Sequence, residues 1–179
     1  MNRSTRTGRR AAGAAGLVIT IAVLAACSSA DASTATGNIP EGATNGTLSD
    51  RIDQAGHQFR NVDEATAPKI DVDTFEDAKG GWNLRVNTDN FAWAPEHVSG
   101  EAIPGEGHAH VFVDGEKVAR LYGPWYYVSP AGLSKGKHTI TVTLNANDHT
   151  AYAIDDVQIT ESVTIDSSGE GDGHAGHSH

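Results

Sequence analysis

P-G-E-G-H-A-H-V-F-V-D-G, residues 104–115, is the stretch on which the reading of the fold turns. A Gly-rich loop leads into the apolar run Ala109 to Val113, and Asp114-Gly115 ends it with a hairpin-turn signal. Read as a β-strand, the run sends successive side chains to opposite faces. His108 and His110 then project from one side, about 7 Å apart along the backbone. Lys117 to Tyr122 follows as the return strand.

The same period of two runs on either side of this hairpin. Ile70 and Val72 alternate with Lys69, Asp71 and Asp73, and Trp82, Leu84 and Val86 alternate with Asn83, Arg85 and Asn87. His138, Ile140, Val142 and Leu144 alternate with threonines, and Val157, Ile159, Val163 and Ile165 continue the pattern. Each run shows one apolar face and is bounded by Gly, Pro, Asn or Asp, as antiparallel strands are. About seven short strands in roughly a hundred residues predict an all-β fold, an immunoglobulin-like or cupredoxin-like antiparallel β-sandwich over residues 68–166. That length can bury one core without disulfides.

The N-terminal part reads differently. Arg3, Arg6, Arg9 and Arg10 precede an apolar stretch, residues 11–26, that is short and rich in small residues, as export signals are. It ends in Leu24-Ala25-Ala26-Cys27, which resembles the signal of bacterial lipoproteins. The resemblance implies cleavage after residue 26, a lipid on Cys27 and a place on the extracytoplasmic face of the cell membrane, periplasmic or extracellular. Residues 27–46 are Ser, Ala, Thr, Gly and Asn in the main and predict a flexible tether. Over residues 47–67 a helical rhythm replaces the strand period. Leu48, Ile52, Ala55, Phe59 and Val62 recur at i, i+4, i+7, i+11 and i+14, behind a capping box with Asp50 in the acidic position. A short amphipathic helix is expected there, docked through that stripe.

Charge narrows the function. The chain carries 13 Lys and Arg against 23 Asp and Glu. Removal of the leader with its four Arg leaves nine basic residues and moves the formal charge from −10 to −14. Nucleic-acid binding needs a basic footprint and is not expected. An acidic surface favours cations. The single Cys would be lipidated and the single Met removed, so a metal would meet imidazole, carboxylate, amide or backbone ligands only.

Imidazole is the commonest ligand for Zn(II) and Cu(II), and His-X-His on a strand plus a further His is a recurrent set for both. His108 and His110 supply the pair, and His149 in N-A-N-D-H or His97 in A-P-E-H-V supplies the third. Asp148 either orients an imidazole from behind or caps a loop. Glu106 is a ligand or a solvated loop charge. Tyr122 and Trp125, with Tyr126 and Tyr127, either wall the site or plug one end of the sandwich. His138 opens a strand on its apolar face and reads as a packed histidine. Residues 167–179 hold His174, His177 and His179 among Gly, Ala and Ser, a tract expected to be disordered and to capture metal weakly.

The segments G-G-W-N-L, N-F-A-W-A-P-E-H-V, P-G-E-G-H-A-H-V-F-V-D-G, A-R-L-Y-G-P-W and G-K-H-T-I-T-V-T-L-N-A-N-D-H cover most of residues 80–149. Together they resemble a group of exported bacterial domains of unknown function, which implies no particular activity. More loosely, F-A-W-A-P-E is similar to the entry into cupredoxin or periplasmic copper-binding sandwiches. A blue-copper centre needs a Cys ligand, so that resemblance implies at most a His-based site. The expected function is copper or zinc buffering or delivery by a membrane-anchored, non-enzymatic protein, beside a metal transporter or an oxidase. Two other readings stand beside it: an interaction sandwich that binds a protein or glycan through its aromatic end, and a zinc hydrolase or lyase with three His ligands.

Overall fold

The computed structural model describes residues 38–169. In chain order the strands are β1 (Thr47–Ile52), β2 (Gln58–Asn61), β3 (Lys69–Glu76), β4 (Trp82–Asp89), β5 (Ala92–Trp93), β6 (Glu106–Val113), β7 (Glu116–Leu121) and β8 (Trp125–Val128). They continue with β9 (Gly136–Ala146), β10 (Ala151–Ile154), β11 (Val157–Gln158) and β12 (Thr160–Ser167), and a 3-10 turn occupies Pro95–His97. The all-β expectation holds among the described residues.

Two sheets form. The larger runs β1-β2-β10-β9-β6-β5, with β11 on β10, β12 on β9 and β7 on β6; the smaller is β3-β4-β8. Pairing is antiparallel except for β2 with β10 and β5 with β6. Both sheets send their apolar positions into one core. Val72, Trp82, Leu84, Val86 and Val128 of the small sheet meet Ala109, Val111, Ile140, Val142 and Leu144 of the large one. Each such fully buried Val, Leu or Ile contributes roughly 1.5–3 kcal/mol over its exposed state. The β6–β7 hairpin forms as the Asp-Gly signal requires. Asp114 and Gly115 both take positive φ, 50° and 88°, the backbone of a two-residue primed turn between Val113 and Glu116.

The alternation holds on one face of the large sheet and is overridden on the other. In β9 the first residues alternate in burial, but from Val142 to Ala146 every residue is buried. In β6 all residues after Glu106 are buried. The second face of these strands carries His108 opposite Asn145 and His110 opposite Thr143, so it is polar and still covered. Gly107 lets β6 lie this close to β9: a Cβ there would stand 1.9 Å from the Asn145 carbonyl oxygen.

The helix expected within residues 47–67 is absent; the stretch is the β1–β2 hairpin, with Thr47 paired to Asn61 and Ile52 to Gln58. Turn chemistry outweighs the helical stripe. Asp53 accepts hydrogen bonds from the Ala55 and His57 amides on Oδ1, its own amide donates to the His57 carbonyl, and Gly56 sits at φ 84°. A helix would break these bonds and hold Gly56 in its interior, at a cost of roughly 0.5–1 kcal/mol relative to Ala. Two of the stripe residues, Leu48 and Ile52, are exposed, while Phe59 packs on Ala151 and Ala153 in a small separate cluster. Within the expected tether, residues 38–46 reach the domain: Asn45 gives its carbonyl to Arg60. Residues 1–37 and 170–179, which include Cys27, His174, His177 and His179, lie outside the described residues.

Candidate metal centre

His108 and His110 project from the same face of β6, as the period of two requires, and neither is exposed to solvent. Their Nε2 atoms lie 3.0 Å apart. His149 arrives from the loop between β9 and β10 and places its Nδ1 3.1 Å from His108 Nε2. One nitrogen from each of the three rings lies within 4.8 Å of the other two. Three nitrogens bound to one ion at 2.0–2.1 Å in tetrahedral directions stand roughly 3.3 Å apart. The two spacings from His108, 3.0 and 3.1 Å, are close to that, while the set as a whole, within 4.8 Å, must draw in to share one ion.

The place of the third imidazole depends on a backbone turn. His149 takes φ 69°, a left-handed conformation that costs a non-Gly residue about 1 kcal/mol or more. Its amide donates to the Ala146 carbonyl, Asn145 donates from its side chain to the His149 carbonyl, and Ser99 Oγ meets His149 Nε2 at 3.1 Å. These bonds aim Nδ1 at the strand pair.

The cluster holds lone pairs rather than charge. Burial pushes His108 down to about 3, with the neighbouring His149, Arg120 and Lys117 acting the same way. Burial likewise pushes His110 down to about 2, and Lys117 adds to it. His149 is lowered too, by burial first and then by Arg120. All three rings are therefore neutral at pH 7. Lys117 Nζ lies 3.1 Å from His110 Nε2. An ammonium only donates, so His110 turns a lone pair toward it. The Nδ1 atoms of His108 and His110 are buried without a partner. Such an arrangement costs free energy in the metal-free protein, about 1–3 kcal/mol for each orphaned group.

The other expected site residues divide. Tyr122 lies beside His108, ring centroids 5.7 Å apart, and so borders the cluster. Trp125 does not: it pairs with Arg85 in the small sheet and lies against Phe75. Asp148 caps its loop and orients no imidazole. It accepts from Thr150 and from Arg60, and although burial opposes its ionisation these bonds together hold the carboxyl below its usual range. Glu106 accepts from His97 Nδ1 at 2.6 Å, and that bond raises the His97 pKa. His97 is outside the converging set. His138 is packed, with Nδ1 on Asp114 and Nε2 on the Ser134 carbonyl.

Sequence reasoning missed His57, Asp53, Lys117 and Ser99. The His57 ring lies 4.7 Å from the His110 ring and 6.3 Å from that of His149, centroid to centroid. The signal was present in D-Q-A-G-H: an Asp four residues before a His with Gly between them is turn chemistry, and a turn would have set His57 apart from any helical face.

An imidazole-only donor set without thiolate or thioether suits Zn(II) or Cu(II) better than the oxygen-seeking Mg(II) or Ca(II). His108 and His110 through Nε2, and His149 through Nδ1, would hold such an ion. No family model, curated protein or solved structure matches this chain, and the three converging imidazoles are what it offers as a functional site.

Proposed function

We propose that this protein binds a copper or zinc ion through His108, His110 and His149 and serves to buffer or deliver it. One observation carries the reading: nitrogens of three neutral imidazoles, two of them fully buried, converge, and among the described residues no carboxylate engages those nitrogens. The structural His138, by contrast, has an acceptor at each ring nitrogen. The same proposal takes the chain as exported and lipid-anchored through Cys27, with His174, His177 and His179 collecting metal and a transporter or oxidase exchanging it. The lipoprotein-like signal and the His-rich end support that part. It also takes the two-sheet architecture as a cupredoxin-like or immunoglobulin-like sandwich, supported by the core shared between two mainly antiparallel sheets.

The test is metal content after loading with Zn(II) or Cu(II), in the full chain with the three tail histidines replaced by Ala. One equivalent is expected, and His108→Ala/His110→Ala should hold none. Equal loading of both forms would end the proposal.

A second reading rests on the outer face of the small sheet, where Phe75, Trp125 and Tyr127 are exposed beside Arg85. Such a row suits stacking on a glycan or a protein. Retention on a glycan or protein surface that is lost in Trp125→Ala, with metal content unchanged, would favour it.

A further inference from the structure

We propose that His57 is the fourth metal ligand, positioned by Asp53, and that the β1–β2 hairpin closes over the ion and governs its release. This rests on the metal-binding reading above and adds the element that retains the ion.

The chemistry begins with Asp53. Its side chain is 1% exposed, and its Oδ2 meets His57 Nδ1 at 2.9 Å. A carboxylate only accepts, so His57 donates from Nδ1 and is left with Nε2 as its free donor nitrogen. A metal-binding His is commonly held in this way, by a carboxylate on its far nitrogen that fixes the ring and raises its basicity. Asp53 is fixed in turn. Its Oδ1 accepts from the amides of Ala55 and His57, so the turn, the carboxylate and the ring move as one unit. That unit stands against the cluster, since the His57 ring contacts those of both His110 and His149. Among the four rings of this group, His57 alone has a carboxylate behind it.

The geometry also orders the events. The nitrogens of His108, His110 and His149 already converge, whereas His57 remains outside that set. Three ligands are in place before the ion, and the fourth comes with a shift of the hairpin. The hairpin is built to shift. Its outer strand β1 is largely exposed. Although Arg60 and Asn61 anchor the far end of β2 to Asp148, Thr150 and Asp156, the Asp53–His57 turn lies at the other end, where the shift takes place. Lys117 Nζ, now 3.1 Å from His110 Nε2, must swing out as the dication arrives. Its residue is exposed, so a path to water exists.

The experiment loads Cu(II) into the full chain carrying His174→Ala, His177→Ala and His179→Ala. It compares that background with His57→Ala, His57→Gln and Asp53→Asn. Affinity and release rate are read by competition with a chromophoric chelator, and nitrogen ligation by electron paramagnetic resonance. His57→Ala and His57→Gln should bind one Cu(II) about 10–100-fold more weakly, release it faster and lose one coordinated nitrogen. Asp53→Asn should weaken binding about tenfold. Copper should slow amide exchange in the hairpin of the background protein and not in the His57 variants, which a merely structural role would not produce. If His57→Ala misfolds by circular dichroism, His57→Gln and the exchange data decide. Affinity, release and nitrogen count unchanged in both His57 variants would overturn the fourth ligand and leave the three-His site standing. A background protein that takes up no Cu(II) would overturn both.

Discussion

His138 and His110 lie on paired strands, β9 and β6, yet they are held in opposite ways. His138 has an acceptor at each ring nitrogen: Asp114 Oδ2 at 2.5 Å and the Ser134 carbonyl at 2.9 Å. The Asp114 bond, and then the Ser134 carbonyl, raise its pKa. His110 has no acceptor on Nδ1 and faces another imidazole and an ammonium on Nε2. The first site keeps a proton, and the second keeps a lone pair. Within one sheet, engagement of both ring nitrogens separates a histidine that fastens the fold from one that keeps a nitrogen open to a metal.

The largest break in the comparison should come from His110→Leu. It removes a proposed ligand and an orphaned buried nitrogen together. Metal affinity should fall about a thousandfold or more, on the order of 4 kcal/mol. The metal-free protein should unfold at no lower a temperature than the parent, because an apolar side chain of similar size needs no partner. A large fall in Tm would show that the imidazole supports the fold as His138 does.

Acid should separate the two regions next. His108 and His110 fall to about 3 and about 2 when folded, against about 6.5 unfolded. Below pH 6.5 the unfolded chain takes up protons that the folded cluster refuses. Stability of the metal-free protein should therefore fall as pH drops from 7 toward 4, by up to about 1.4 kcal/mol per pH unit for each such proton. His138 has the opposite sign. Its raised pKa makes its contribution complete below 6.5 and lost as pH rises through the folded value. Asp114, lowered by His138 and the Thr139 amide, contributes above 3.8 and loses this as pH falls through its folded value. Denaturation midpoints at pH 7, 5.5 and 4 should thus show a shallower acid loss in His110→Leu and an undiminished one in His138→Leu.

Lys117→Met sharpens the cluster without touching a ligand. It removes a cation 3.1 Å from His110 Nε2 and keeps the apolar stem. Affinity for a divalent ion should rise about three- to tenfold, on the order of 1 kcal/mol, and more at low salt. A fall would mean that the ammonium organises the site. The smallest effect belongs to His138→Leu. Asp114 is half exposed and water replaces its partner, so Tm should drop by roughly 2–5 °C with metal content unchanged.

Much of this was legible because it depends on local rules. Asp114-Gly115 placed a hairpin, and the hairpin fixed the register that puts His108 and His110 on one face. What failed depended on contacts distant in sequence. The period of two describes exposure of one strand face, but the face of His108, Thr143 and Asn145 is buried, so polar residues there signalled a site rather than a surface. The choice between His149 and His97 turned on the left-handed backbone at His149, which its neighbours in sequence do not dictate. Residues 47–67 offered an apolar stripe at helical spacing together with an Asp-to-Gly turn, and weighing the stripe above the turn hid His57. Trp125 shares the run L-Y-G-P-W with Tyr122, yet Tyr122 follows β7 of the large sheet and Trp125, past the Gly-Pro turn, opens β8 of the small one.

Arg60 gives the molecule a route for mechanical load. Its guanidinium binds the Asn45 carbonyl at 2.6 Å and the Asp148 carboxylate at 2.7 Å, while Nε holds Thr150. Tension arriving from the N-terminal side of the chain passes Ile39, which lies against Gly105, and then Asn45 before it reaches β1, so Arg60 shares it and relays it to Asp148 and Thr150. Those two residues flank His149. A pull on the chain is thereby delivered to the turn that aims the third imidazole, and Arg60 is the fuse whose failure would pass the force on to the hairpin that carries His57.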